Sequence, residues 1–204
     1  MLRIMKFGGT SVKEVGYMTI YDIISDFTKH DKVVIVVSAL KGITDALLEA
    51  TRRAESGEEK WIEDFLREFK KQHILAAIES IGNFPSSLKE RLSKADQELE
   101  QALRGILHLR EASPHSVDYV VSFGERYSAE IAAATLVSNG LKARPFTGGE
   151  AGIITNDRFG EAKPIIDITG EEVKARIHPI IDGGTIPVVG GFTGMTIDGI
   201  VTTL

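Results

Sequence analysis

The sequence predicts an α/β protein with a parallel sheet, on three observations. A short apolar stretch, Leu2 to Phe7, runs into Gly8-Gly9 and then into a segment with Val15, Ile20, Ile23, Ile24 and Phe27 near helical spacing. Lys32 to Ser38 is a β-branched run, as expected of a strand covered on both faces, and turns through Ala39-Leu40-Lys41-Gly42 into a second helix near Thr44, with Leu47 and Leu48 inward. Thr185 to Val189 is a further strand that ends in Gly190-Gly191-Phe192-Thr193-Gly194. Three glycine-containing turns thus follow three strands, and ligands of such sheets gather at the carboxyl ends of the strands.

The remaining elements follow in order. From Glu58 to Arg110 the pattern changes to two long amphipathic helices. Trp61, Ile62, Phe65, Leu66 and Phe69 share one face, and Leu88, Leu92, Ala95, Leu99, Leu103 and Ile106 form a second stripe. Gly82-Asn83-Phe84-Pro85 separates them, with Ser86 or Ser87 as the expected cap. This reads as a helical hairpin, about 58–112, inserted into the α/β unit. Tyr119 to Phe123 is too short an apolar run to distinguish strand from helix, whereas Tyr127 to Val137 is helical and stops at Asn139-Gly140. Beyond it, Lys142–Phe146, Ala151–Thr155 and Pro164–Asp167 are strand candidates, and Thr169-x-x-Glu172 reads as a capping box. Ile197 to Leu204 reads as a hairpin arm.

Bulk composition narrows the function classes. The chain has 204 residues, 43% hydrophobic and 26% charged, with a net charge of -5. That describes one domain with a substantial core and argues against nucleic acid or an anionic membrane as a partner. Cysteine is absent, which removes disulfide and thiol chemistry. No apolar run has the length of a transmembrane helix, and Lys6 with two glycines interrupts the only early apolar run, so a cytoplasmic protein without a signal peptide is expected. His30, His73, His108, His115 and His178 show no metal-ligand spacing.

For the chemistry, the Gly8-Gly9 turn can present backbone N–H groups and a helix N-terminus to an anion, beside the Lys6 ammonium and the Thr10 and Ser11 hydroxyls. A plain strand-to-helix turn fits the same residues, since the spacing is neither the P-loop nor GxGxxG. Glu125, read as standing at a turn-to-helix junction, fits either a helix N-terminus or a ligand role. Thr155-Asn156-Asp157-Arg158-Phe159-Gly160 is a polar turn of residues that form turns in any case.

Five blocks carry a resemblance: Lys6-Phe7-Gly8-Gly9-Thr10-Ser11-Val12, Val37-Ser38-Ala39 through Gly42-Ile43-Thr44, Ser122-Phe123-Gly124-Glu125-Arg126, Thr155 to Gly160, and Gly191-Phe192-Thr193-Gly194 with Thr202-Thr203-Leu204. In this order they resemble the aspartate kinases, a branch of the amino acid kinase superfamily. The resemblance implies a three-layer α/β/α amino acid kinase fold over residues 1–204, mainly its substrate-binding lobe. It implies ATP-dependent phosphorylation of the β-carboxylate of L-aspartate, the entry to lysine, threonine and methionine synthesis. ATP and Mg2+ would be required, the metal held through the nucleotide phosphates. By the same resemblance Lys6 neutralises the transferring phosphoryl group, Asp157 orients Lys6, and Gly8, Gly9 and Thr10 face phosphate. Ser38, Ala39 and Thr44 line the aspartate pocket, and Glu125 reads the substrate ammonium. Gly191, Gly194, Thr202 and Thr203 belong to the nucleotide side. Some relatives carry an arginine before Thr-Asn-Asp for the substrate α-carboxylate; Ile154 stands there, with Arg158 as the substitute. The family continues past Thr-Thr-Leu, so a chain ending at Leu204 is expected to be truncated at its C-terminus, to lack turnover alone, and to belong to a homo-oligomer when complete. A non-catalytic aspartate-binding fragment or regulatory subunit, and another amino acid kinase of the superfamily, are the alternatives.

Overall fold

A computed structural model describes the backbone of residues 1–204 and the side chains of all but residues 10–15. The elements are β1 (Leu2–Phe7), α1 (Gly9–Phe27), β2 (Lys32–Val37), α2 (Ile43–Glu55), α3 (Glu59–Ile81), α4 (Ser86–Leu109), α5 (Pro114–Ser138), β3 (Ala143–Phe146), α6 (Ile166–Asp182), β4 (Ile186–Gly190), β5 (Thr193–Met195) and β6 (Val201–Thr203). Strands β1, β2, β4 and β3 lie side by side in that order and all parallel, while β5 and β6 form an antiparallel hairpin.

Alternation along the strands builds the layers. Val33, Ile35, Val37 and Val188 point to one face, into the large core shared with α1 and α5; Val34 and Val189 point to the other, where Ile177 and Ile181 of α6 cover them with Phe146. The result is the three-layer α/β/α arrangement. Helices α2, α3 and α4 pack on α5 rather than on the sheet, and Leu88, Leu92, Leu99 and Leu103 lie in the same apolar core as the sheet residues. The helical pair at 59–109 therefore thickens one helical layer.

One open reading is decided and three local expectations change. Tyr119 to Phe123 lies inside α5, whose N-terminus is capped by Ser113, with the side-chain oxygen accepting from the backbone N–H of Ser116, and by Pro114 behind it. An apolar run can be helical when every side of the helix is covered, and residues 120 to 125 are all buried. Ser86 begins α4 after Pro85, with no side-chain cap. Thr169 caps nothing, because α6 starts at Ile166; its hydroxyl instead donates to the Ile154 carbonyl and accepts from the Ile154 N–H. Neither 151–155 nor 164–167 forms a strand: Ile154 and Thr155 make only isolated bridges, with Met195 and Pro164, and Ile166 and Asp167 already belong to α6.

Candidate active site

In-register pairing ends three strands at one level. Phe7 is opposite Val37, and Val37 opposite Gly190. The hydrogen bonds continue one step further, from Ser38 N–H to the Phe7 carbonyl (3.1 Å) and from Gly191 N–H to the Val37 carbonyl (2.8 Å). The turns Gly8-Gly9, Ser38-Ala39 and Gly191-Phe192 are thereby set side by side. A cleft of about 560 Å³ opens over them, lined by Lys6, Gly9, Ser38, Ala39, Thr44 and Glu125, with Phe192 and Leu204 as an apolar wall.

Glu125 is the unusual group. It sits in the middle of α5, not at the turn-to-helix junction expected, and is only 3% exposed. Three small residues bring it there. A Cβ on Gly124 would lie 2.8 Å from that of Ala39, one on Gly190 3.1 Å from the Glu125 carbonyl oxygen, and one on Gly9 2.7 Å from the Ala39 carbonyl oxygen. Helix, strand end and turn thus touch almost backbone to backbone. The Ala39 N–H donates to Glu125 Oε1 (3.2 Å), while Oε2, equally buried, has no hydrogen-bond partner. Burial pushes the carboxyl up to about 7, against the pull of the Ala39 amide. A buried carboxylate with one free oxygen is costly until a cation with N–H donors meets it.

Gly124→Ala tests this packing. The added methyl costs about 1–3 kcal/mol of overpacking, more than the roughly 1 kcal/mol of helix propensity it gains. Thermal denaturation is expected to show a lower Tm; an unchanged or raised Tm would mean that α5 can move off Ala39 freely.

The same cleft favours anions elsewhere. Lys6 lines it, and α1 starts there with Gly8 as an N-cap that offers no side-chain hydrogen bond. The α2 N-terminus, capped by Gly42 at φ 85°, opens on it as well. Two helix N-termini with Lys6 and Lys41 suit a phosphoryl group or a carboxylate, with Asp45 as an acid on the same lining. The Thr10 side chain lies outside the described residues. Among the described residues no three His, Asp or Glu side chains gather as a metal site.

Other expected residues lie apart from this cleft. Asp157 and Arg158 are exposed on the 155–160 loop and do not line it, and among the described residues no ion pair joins Asp157 to Lys6. The loop is held otherwise: the Asn156 amide oxygen accepts from the N–H groups of Arg158 and Lys163. Ile154 is buried under α6. Gly194 packs on Thr155 and Ile153, lining a second pocket of about 370 Å³ with Ser122 and Arg126. Thr202 bonds through its hydroxyl to that of Thr155 (2.8 Å). Thr203 gives both its N–H (2.9 Å) and its hydroxyl (2.6 Å) to Asp118. Both threonine hydroxyls are thus engaged within the protein. Asp118, Phe192 and Leu204 were not evident as site residues in the sequence; the one available signal was a lone acid two helical turns before Glu125.

Comparison with known proteins places the chain in a family. The model of the amino acid kinase family matches residues 1–204. The chain belongs to the amino acid kinase family. Among the relatives of this amino acid kinase is the chloroplastic aspartokinase 1 of Arabidopsis thaliana, 36% identical over 196 residues that make up 94% of this chain and 33% of that protein. Lysine-sensitive aspartokinase 3 of Escherichia coli is 31% identical over 211 residues, 98% of this chain and 42% of that protein. Solved structures of Escherichia coli aspartokinase III superpose over the whole chain and 43% of theirs. The complex with lysine and aspartate gives a TM-score of 0.83 at 26% identity, and the complex with aspartate and ADP 0.81 at 27%. This amino acid kinase spans about a third of the length of the plant relative and about two fifths of the bacterial one.

Proposed function

We propose that this protein transfers the γ-phosphoryl group of ATP to the β-carboxylate of L-aspartate, the entry step to lysine, threonine and methionine synthesis. The observation that carries the reading is the buried, unpartnered Oε2 of Glu125 in a cleft otherwise suited to anions, which is the complement of an α-amino acid with an acidic side chain. The relatives that bind aspartate and ADP support the same choice. In this reading Glu125 accepts from the substrate ammonium, while Ser38, Ala39 and Thr44 shape the pocket. Lys6 and the amides of Gly8 and Gly9 offset charge on the phosphoryl group. A β-carboxylate oxygen forms the new bond to the γ-phosphorus as the bond to the ADP oxygen breaks. The nucleophile is already ionised at neutral pH, so no general base is needed and alignment dominates. Mg2+, bound with the nucleotide, would screen its phosphates. In the same reading Asp157 orients Lys6 and Arg158 serves the substrate α-carboxylate, both carried on the 155–160 loop.

The raised Glu125 carboxyl supplies the test. Binding an ammonium requires the carboxylate, so below pH 7 the aspartate complex forms with release of a proton. Calorimetric titration is expected to show affinity rising almost tenfold per pH unit up to about 7 and level above it, with Glu125→Gln weak at every pH. A flat profile for the wild type would reject the ammonium role. Stability without ligand runs the other way. A carboxyl raised in the folded state favours folding fully below its unfolded value of 4.5, and that contribution is lost as pH rises to about 7. The loss amounts to about 3 kcal/mol and is absent in Glu125→Gln.

A further inference from the structure

The structure assigns Asp118 as a positioning residue, which fixes the apolar wall of the cleft relative to Glu125. Asp118 is 1% exposed on α5, and its two oxygens are filled by other segments of the chain. The Gly160 N–H donates to both (3.1 and 3.0 Å), the Thr203 N–H to Oδ2 (2.9 Å) and the Thr203 hydroxyl to Oδ1 (2.6 Å). One carboxylate therefore ties the end of the polar loop and the last strand, β6, to a single helix. Leu204, the next residue after Thr203, lines the cleft, and its N–H donates to the carbonyl of Phe192 (3.0 Å), the other wall residue. Phe192 is held at φ 59°, a left-handed conformation that a phenylalanine keeps only when its surroundings impose it.

The placement on α5 explains why this matters for the site. Asp118 and Glu125 are seven residues apart, which puts them about two turns and 10 Å apart along the axis, within about 20° of one face. The helix thus works as a ruler: its N-terminal turns hold the wall strand, and its middle presents the carboxylate that lines the cleft. Neither α-amino acid contact nor phosphate contact is required of Asp118; it acts through Thr203, Leu204 and Phe192.

This assignment deepens the aspartate reading and rests on it for the ligand used in the test. D118N keeps the shape but places an NH2 group against N–H donors, and T203V removes only the hydroxyl. Aspartate titrations at a temperature where each variant is folded are expected to show affinity at least tenfold weaker for D118N and about threefold weaker for T203V. NMR of the same samples is expected to show displaced amide and ring resonances of Phe192, a residue Asp118 does not touch. Reduced stability with wild-type affinity, or an unmoved Phe192, would overturn the assignment, and T203V decides it should D118N fail to fold. A wild-type chain that binds no aspartate would count against the aspartate reading alone, because the Phe192 resonances still report on Asp118.

Discussion

Lys6→Ala is expected to lower the rate of aspartyl phosphate formation by about 10²–10³-fold while leaving the fold intact, the usual loss when one preorganised charge-stabilising donor is removed. Lys6 lies on β1 one residue before the strand ends, with its side chain on the cleft and its backbone paired in register with Val36. Its removal opens no core cavity, because the residue is exposed. The loss should therefore fall on kcat, with aspartate affinity little changed, since the charge is used where the phosphoryl group passes. Trapping the acyl phosphate as its hydroxamate, with the protein carrying the whole kinase, measures this directly. A variant with wild-type kcat would remove Lys6 from the reaction.

Glu125→Ala carries the second large effect. An ammonium paired with a desolvated carboxylate loses about 2–5 kcal/mol when the carboxylate is deleted, equivalent to a rise in KM for aspartate of about 30-fold to several thousand-fold. The KM for ATP should stay nearly constant. The free protein is not expected to lose stability in proportion, because the deletion also removes a carboxyl whose Oε2 lacks a partner. Equal damage to both constants would instead mark Glu125 as a residue that merely spaces α5 from Ala39.

Much of the site was legible because it is local. Strand-to-glycine-to-helix order is written in consecutive residues, so β1, β2, β4 and the turns Gly8-Gly9, Ser38-Ala39 and Gly191-Phe192 are found where the pattern puts them. What failed depends on partners distant in sequence. Val120 to Phe123 reads as strand or helix until α2, α4 and the sheet are placed around it. Thr169 looks like a cap because its true partner, the backbone of Ile154, is 15 residues away. Asp118 is an ordinary acid in a helix until Gly160 and Thr203 arrive. The Asp157–Lys6 pairing rests on family likeness alone, because nothing in the residues of the 155–160 loop links it to β1.

The way α5 joins the layers also has a kinetic side. Its contacts with other segments close long loops: Glu125 with Ala39 spans 86 residues, Asp118 with Thr203 spans 85, and Ser128 with the Tyr17 hydroxyl spans 111. Pairings of such separation form slowly, because the chain entropy of closure precedes any gain from the contact. Helices can thus be complete in a chain that still has no pocket. An amino acid that binds only the closed pocket cannot hasten folding; it acts afterwards, by slowing the escape of a chain that has already folded.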